Sequence, residues 1–169
     1  PRMPRLAAAA SACARLAPGV WATARTHPHG VAYYNGLIGG LSGAQRRPER
    51  DATDYWAGSY WQAAAWLRAH AEPDAALLVP IAGHVMRSIA PVALRPDLRL
   101  PRASERAANG PVYVCYVTRA SAYGEVILGL ERDGTPVHEI LCDGAPILRI
   151  HRIVGERARA AFEATRREL

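Results

Sequence analysis

The apolar residues in the second half of the chain change their spacing from segment to segment, and this spacing predicts the secondary structure. Over 54–70 they recur every three or four residues, which predicts an amphipathic helix. Trp61 falls on another side of this helix and should be more exposed than the sheet-facing residues. The expected sheet-facing residues are Trp56, Tyr60 and Leu67. Short apolar runs at 75–83 and 112–118 predict buried strands.

The clearest local pattern is that of a β-hairpin. Segments 136–142 and 145–153 alternate apolar and polar residues, and Asp143-Gly144 lies between them. A two-residue hairpin turn needs positive φ at both central positions, and the Asp-Gly pair favours that geometry. We therefore expect the two segments to pair as antiparallel strands about this turn.

Weaker patterns fill the rest of this half. The predicted elements are a helix over 84–90 ended by Pro91, a brief strand over 98–101, a helix over 122–132 ended by Asp133-Gly134 and a charged helix over 155–168 anchored by Phe162. Together the elements predict an α/β fold, with a mixed sheet flanked by helices and a C-terminal β-hairpin. The residues expected to be buried in this sheet are Val112, Val114, Ile147 and Ile150.

The front of the chain carries an N-terminal hydrophobic helix. Residues 6–24 are long enough to span a bilayer, but Arg15 near the middle would cost roughly 2.5–3.5 kcal/mol on insertion. Two interpretations stay open, a surface helix and the last membrane span of a longer protein. The predicted division is this helix at 1–26, a junction and linker at 27–53 that is polar from residue 42, and a soluble α/β domain at 54–169.

Composition argues against nucleic-acid binding and against a zinc ribbon. The formal charge is +6 and every basic residue is arginine, but no recognition motif accompanies it, so nucleic-acid binding is not expected. The three cysteines are too far apart for a zinc ribbon. Cys115 and Cys142 lie in apolar, strand-like runs, where buried thiols and a disulfide both stay open.

Two phrases concentrate aromatic, glycine and polar residues, HPHGVAYYNGLIGG at 27–40 and DYWAGSYWQAAAWL at 54–67. In the first, the rings of Tyr33 and Tyr34 and the amide of Asn35 suit binding of carbohydrate. Tyrosines also pack at membrane interfaces, with their rings buried and their hydroxyls wet. The sequence leaves these two interpretations open.

The second phrase opens on Asp54, beside Tyr55 and Trp56, and this acid can cap a helix or bind a ligand. His84 directly follows a predicted strand, where open α/β sheets place ligands, and a surface histidine is the alternative. The histidines of 27–29 have no third ligand nearby in sequence, so no metal site is predicted. No nucleophile elbow, phosphate loop or zinc-protease motif occurs, so no catalytic residue is predicted.

Together the two phrases resemble a junction in membrane glycosyltransferases of the GT-C class, in the protein O-mannosyltransferase and aminoarabinose transferase superfamily. There the last membrane helix ends and a soluble extracytoplasmic domain begins. The residues that carry the resemblance are His27-Pro28, Tyr33-Tyr34-Asn35, Gly39-Gly40, Asp54-Tyr55-Trp56 and Ser59-Tyr60. The predicted hairpin is similar to the family's late segment. His29 and Ala57 depart from the pattern, which has an aromatic and a glycine at these positions.

The resemblance implies a C-terminal domain on the periplasmic or extracellular side of a bacterial inner membrane. The parent enzyme would transfer a sugar from a polyprenyl-phosphate donor to an acceptor. In this family the catalytic base, an acidic residue, and the donor site lie far upstream, so the resemblance implies no catalytic residue, metal or cofactor here. The implied partners are the transmembrane part of the same protein and a carbohydrate or lipid-linked sugar. A free-standing α/β binding module is the alternative.

Overall fold

A four-stranded mixed sheet forms the centre of the computed structural model, which describes residues 3–47, 51–101 and 110–168. The strands are β1 Ala76–Leu78, β2 Val112–Val117, β3 His138–Cys142 and β4 Ala145–Ile153, in the spatial order β1-β2-β4-β3. β1 runs parallel to β2, whereas β4 is antiparallel to β2 and to β3. The predicted α/β class with a mixed sheet is confirmed.

Helices cover both faces of this sheet. Those within the described residues are α1 Met3–Thr26, α2 Gly40–Gln45, α3 Tyr60–His70, α4 Gly83–Ala93, α5 Glu125–Asp133 and α6 Gly155–Glu168. Trp66 of α3 meets Tyr113 of β2 edge to face, and α4 packs on α3. Tyr116 points to the opposite face, where α5 and α6 pack, because alternate residues of a strand face opposite sides. The result is a sheet between two helical layers.

The hairpin and the core follow the sequence prediction. Asp143 has φ 49° and Gly144 has φ 75°, the two positive values that a two-residue turn needs. The residues predicted to be buried, Val112, Val114, Ile147 and Ile150, are all fully buried. The helices predicted over 122–132 and 155–168 are present as α5 and α6, with Phe162 buried.

A pair of glycine substitutions tests the turn. Gly144→Ala is expected to lower the free energy of unfolding by about 1 kcal/mol, because an alanine at positive φ is strained. Gly129→Ala, in the middle of α5 with open space at its Cβ position, should instead raise it by up to about 1 kcal/mol. Urea unfolding of both variants measures the two changes. Equal effects of the same sign would contradict the turn geometry.

The predicted start of the first domain helix is wrong. α3 begins at Tyr60, and residues 54–59 form turns. Two features stop the helix from starting earlier. The backbone N–H of Ser59 donates to the Asp54 carboxylate at 2.5 Å, and Ala57 has the left-handed φ of 57°. Asp54 is therefore not the N-cap of this helix, and Ser59 precedes its first residue.

The change of start point moves Trp56 off the helix. Its side chain is 72% exposed and meets Tyr55 edge to face, so its predicted place against the sheet is wrong. The other predicted positions on this helix are correct. Tyr60 and Leu67 are buried, and Trp61 is exposed. Helical spacing therefore predicted the burial of Tyr60, Trp61 and Leu67, which belong to α3, correctly. It failed for Trp56, which lies before the helix begins.

Three other predicted elements differ from the structure. The strand predicted over 75–83 pairs only at Ala76–Leu78, because the chain leaves the sheet and reaches a left-handed φ of 50° at Ala82. The segment 98–101 is no strand and makes a single bridge through Arg99. The predicted stop at Pro91 is also wrong. This proline lies in the last turn of α4, and the N–H of Leu94 still donates to the Ala90 carbonyl.

The linker predicted to be polar from residue 42 is partly helical. α2 buries Leu41 and Ala44, and the side-chain amide of Gln45 donates to the carbonyls of Ala52 (3.0 Å) and Pro146 (2.8 Å). These bonds tie the segment to the hairpin. Residues 48–50 of the predicted linker, 1–2 of the predicted N-terminal helix and the end of the predicted domain at 169 lie outside the described residues.

α1 is a long helix, as predicted. Between residues 7 and 25 only Ala22 is even half-buried, and contact with the domain is made at the C-terminal end, where Thr26 is buried. None of the described helices combines the length and the apolar character needed to cross a membrane.

Cys115 and Cys142 are buried free thiols. They lie on β2 and β3, and β4 separates these strands. Two strand spacings are about 9.6 Å, which is too far for a disulfide. The interpretation as buried thiols is confirmed.

A polar cluster interrupts the apolar face beneath α5. The Tyr116 hydroxyl donates to Glu131 Oε1 at 2.7 Å and lies 3.1 Å from His151 Nε2. Arg149 pairs with Glu131 and, through Nε at 2.8 Å, with Glu139. Burial lowers the pKa of His151, which is 2% exposed, and the nearby charges of Glu131 and Arg149 oppose each other. The folded protein therefore holds a neutral imidazole at neutral pH.

This burial predicts a pH-dependent stability. Because the folded-state pKa of His151 lies below its unfolded value, the unfolded chain binds a proton that the folded chain does not. Its contribution is present above the unfolded pKa of about 6.5 and is lost as pH falls from that value through the lower, folded-state pKa. His151→Gln should flatten the loss of unfolding free energy between about pH 7 and pH 5. Urea titrations of the intact chain and of the variant at several pH values measure the two slopes.

Candidate functional site

The junction after α1 wraps around one edge of the sheet. β1 and β2 both end at this edge, and the β3–β4 turn lies there too. Hydrogen bonds across this edge hold the junction against the sheet. Gln45 binds the Pro146 carbonyl, and the Thr53 hydroxyl lies 3.0 Å from that of Thr118. Open α/β sheets bind ligands at the edge where parallel strands end, so this is where a site is expected.

A cleft of about 380 Å³ opens at this edge, between α1, the junction and the hairpin turn. We call it the junction cleft. The lining residues with side chains or backbone suited to a ligand are Trp21, Arg25, Tyr33, Tyr34, Gly40 and Asp143. Two of the residues predicted from sequence, Tyr33 and Tyr34, therefore lie in it.

An ion pair forms the polar side of the junction cleft. Arg25, near the end of α1, binds Asp143 in the hairpin turn. The Arg25 guanidinium also lies 6.0 Å from the centre of the Trp21 ring. Gly40 makes the close approach possible, since a Cβ there would come 2.8 Å from Asp143 Oδ2, and its φ is 64°. The backbone angle of Gly40 and its contact with Asp143 therefore both favour glycine at this position.

Aromatic rings form the other side. Tyr33 is 49% exposed, and Tyr34 is half-buried and packs against the core. Trp21 is exposed at the end of α1. Aromatic faces bind the C–H face of a sugar ring, while the adjacent charged pair offers donors and acceptors for hydroxyl groups. This combination suits a carbohydrate or another amphipathic ligand.

Asn35 stabilises the turn that carries part of the cleft lining, without lining the cleft itself. Its side-chain oxygen accepts the N–H of Leu37 at 3.1 Å, and its backbone carbonyl accepts the N–H of Gly40 at 3.1 Å. Asn35 therefore caps the short turn between the tyrosines and the glycine pair. The structure places it as a residue that holds the loop.

The two histidines of the first phrase have separate environments. His29 is buried and its Nε2 lies 3.0 Å from Gln62 Oε1, which ties the junction to α3. His27 is exposed. Within the described parts of the chain, no group of three histidine, cysteine, aspartate or glutamate side chains is placed to hold a metal ion.

The second predicted group lies outside the lining of the junction cleft. Asp54 is fully buried, and neither its Oδ1 nor the Ser59 hydroxyl has a hydrogen-bond partner among the described residues. Tyr55 lies over Arg119, with the guanidinium carbon 4.3 Å from the ring centre. Trp56 extends into solvent beside Tyr55. This group therefore forms the turn that leads into α3.

Arg119 also links this turn to Asp51, whose carboxylate it binds through Nε at 3.3 Å. Burial alone would raise the pKa of Asp51. Hydrogen bonds from the side chain and backbone of Ser121 and from Arg119 outweigh burial and lower the pKa. Asp51 is therefore an anion at neutral pH and stabilises the turn before α3.

His84 is exposed at the start of α4 and does not line the junction cleft. The structure thus divides the predicted site. Tyr33 and Tyr34 lie together, Asn35 supports them, and the Asp54 group and His84 lie elsewhere.

Sequence reasoning missed three residues of the cleft, Trp21, Arg25 and Asp143. Asp143 belongs to the predicted turn, but its place in the cleft depends on its bond to Arg25, which lies 118 positions earlier in the sequence. No local spacing carries that information. The one available signal was the short distance in sequence between Arg25 and the His-Pro pair.

No protein-family model matches this chain, and no curated protein or solved structure is significantly similar to it.

Proposed function

We propose that this chain is the C-terminal extracytoplasmic domain of a GT-C class membrane glycosyltransferase that uses a polyprenyl-phosphate sugar donor. The domain lies on the periplasmic or extracellular side of the bacterial inner membrane. It positions the acceptor or supports the active cavity, and its partners are the transmembrane part of the same protein and the carbohydrate. The observation that carries the proposal is the convergence of the resembling residues Tyr33, Tyr34 and Gly40 on one cleft.

The chemistry of the cleft supports a role in binding sugar. The two tyrosine rings and Trp21 offer apolar faces, while Arg25 has guanidinium donors beyond the one that binds Asp143. These groups come from α1, the junction and the hairpin, so the cleft exists only when the junction is folded onto the sheet.

The contacts of the cleft support a role in positioning. Asp143 is the one carboxylate among the described residues that line the cleft, and it is bound to Arg25. This pair holds α1 against the hairpin turn, and the catalytic base lies in the first extracytoplasmic loop of the parent enzyme.

Sequencing the transcript upstream of the codon for Pro1 tests the proposal against the free-standing binding module. The proposal expects an open reading frame with many hydrophobic spans and an acidic pair in its first extracytoplasmic loop. A promoter and a stop codon directly upstream would reject the glycosyltransferase and support the free-standing module.

A further inference from the structure

A cavity of about 770 Å³ lies beside β3 and β4, near the C-terminal end of α5. We call it the edge cavity, because β3 is an outer strand of the sheet. The described residues that line it are all different from those of the junction cleft. The lining side chains that bear on ligand binding are Glu131, Val137, Glu139, Leu141, Arg149 and His151. Charged and apolar side chains therefore meet in one concave place.

Hydrogen bonds fix the tautomer of His151, which is 2% exposed. The Tyr116 hydroxyl has one proton and donates it to Glu131 Oε1 at 2.7 Å. The hydroxyl oxygen then accepts from His151 Nε2, 3.1 Å away, so Nε2 carries the proton of the neutral ring. Nδ1 is left as a lone-pair acceptor, and no donor among the described residues is bonded to it.

Gly134 leaves the Nδ1 side of this ring open. It follows α5 directly and lines the edge cavity. Its φ of −105° suits any residue, but a Cβ there would lie 3.1 Å from His151 Nδ1 and 2.6 Å from the Leu130 carbonyl oxygen. Space, not backbone conformation, therefore favours glycine. Because a buried acceptor without a partner is unfavourable, open space in front of it indicates a ligand that donates a hydrogen bond.

The charges around the cavity favour a cation. Arg149 binds Glu131 through Nη1 and Glu139 Oε1 through Nε, so one guanidinium faces two carboxylates and one negative charge remains. Burial lowers the pKa of His138, so this lining histidine adds no positive charge at neutral pH. Glu139 Oε2 accepts no hydrogen bond from the described part of the chain, and this side chain is 36% exposed.

The two free acceptors lie on one face of the sheet. Glu139 pairs with Arg149 across β3 and β4, and His151 lies two residues after Arg149, so Glu139 and His151 are diagonal neighbours. Such positions are about 7–8 Å apart, within reach of one bound group. Val137 and Leu141 lie two residues before and after Glu139, and they are 45% and 55% exposed. An apolar wall therefore flanks the acceptors.

We propose that the edge cavity binds a small primary amine in its protonated form. The ammonium group donates to His151 Nδ1 and Glu139 Oε2, and its apolar stem lies against Val137 and Leu141. An ammonium group has three donors and no acceptor, which matches two free acceptors beside an excess negative charge. A carboxylate would meet two like charges, and a hydroxyl would leave the charge unpaired. This inference goes beyond the proposed function, because the site does not use the junction cleft.

Three probes with the same five-carbon stem test the head group. Pentylammonium, pentanol and pentanoate are titrated separately into the chain at neutral pH, and nitrogen–proton NMR spectra of the histidine rings follow binding. We expect saturable binding of pentylammonium alone, with a shift of the His151 ring signals. The spectrum of the free chain should show the His151 proton on Nε2. The signals that disappear in His151→Gln identify this ring.

Matched substitutions test the two acceptors. Glu139→Gln removes the excess negative charge and is expected to weaken pentylammonium binding about tenfold. Glu156→Gln makes the same charge change at an exposed position on α6 outside the cavity lining, and should leave binding unchanged. His151→Gln can keep a bond to Tyr116 through its amide but lacks Nδ1, so it should also weaken binding about tenfold. Circular dichroism checks that each variant is folded.

Several results would overturn the proposal. These are no binding of pentylammonium, equal binding of the three probes, tighter binding of pentanoate, a His151 proton on Nδ1, and Glu139→Gln binding pentylammonium like the intact chain. All are measured on the chain alone and without sugar transfer, so they are independent of the proposed glycosyltransferase role.

Discussion

Replacing Tyr33 with alanine in the full-length protein is expected to lower sugar transfer from a polyprenyl-phosphate donor about tenfold, or ~1.4 kcal/mol. Tyr33 is the more exposed of the two tyrosines that line the junction cleft, so its ring is available to a ligand. Truncating a tyrosine that contacts a ligand removes a large apolar face at little cost to folding when the ring is half in solvent. The measurement is transfer of radiolabelled sugar in membranes, with the protein level checked by blot.

Two further variants control for other effects. Tyr33→Phe keeps the ring and should retain most of the transfer, because stacking needs the ring face and not the hydroxyl. Trp61→Ala removes an exposed aromatic outside the cleft and should leave transfer unchanged. A Tyr33→Ala protein with full activity, or an equal loss in Trp61→Ala, would contradict a specific role of the cleft.

Replacing Gly43 with alanine is expected to lower the free energy of unfolding by about 3 kcal/mol, the upper part of the range for overpacking. A Cβ at this buried position would lie 1.8 Å from the Ile38 carbonyl oxygen and 2.7 Å from its carbon. Both are backbone atoms, so no side chain can move aside. The turn between Asn35 and α2 would have to open, and this turn shapes the junction cleft.

Gly36→Ala is the matched control for this prediction. Gly36 lies in the same segment, but no atom is within 4 Å of its Cβ position. Its effect should stay within about 0.5 kcal/mol, as for other surface substitutions. Urea unfolding of the isolated chain measures both variants. If Gly43→Ala is as stable as Gly36→Ala, the packing of α2 against the turn is not as described.

The hairpin and the central strand of the sheet were predictable because their determinants are local. The Asp143-Gly144 pair specifies a tight turn, and the alternation on either side specifies which residues face the core. The strand over 112–118 was equally clear, because a continuous β-branched and aromatic run fits a central strand buried on both faces.

The start of α3 was not predictable from periodicity. Trp56 lies four residues before Tyr60, which is helical spacing, but the Asp54 carboxylate takes the Ser59 N–H and Ala57 adopts a left-handed φ. This turn competes with the helix through a side-chain hydrogen bond, and spacing does not reveal which of the two forms.

The tyrosines of the candidate site were predictable from local sequence, whereas its ion pair was not. Tyr33 and Tyr34 were identified from local composition, and they do line the cleft. The Arg25–Asp143 pair joins residues at opposite ends of the chain and depends on how α1 meets the hairpin. Sequence patterns within one segment carry no information on such a contact.

The most direct test of the proposed role is deletion of the chain from residue 42 onward in the full-length protein. Transfer of radiolabelled sugar from a polyprenyl-phosphate donor is then measured in membranes that contain equal amounts of the intact and the shortened protein. The account predicts that the shortened protein loses transfer while staying in the membrane, and that the isolated chain transfers no sugar. Full activity of the shortened protein, or clear transfer by the isolated chain, would contradict it.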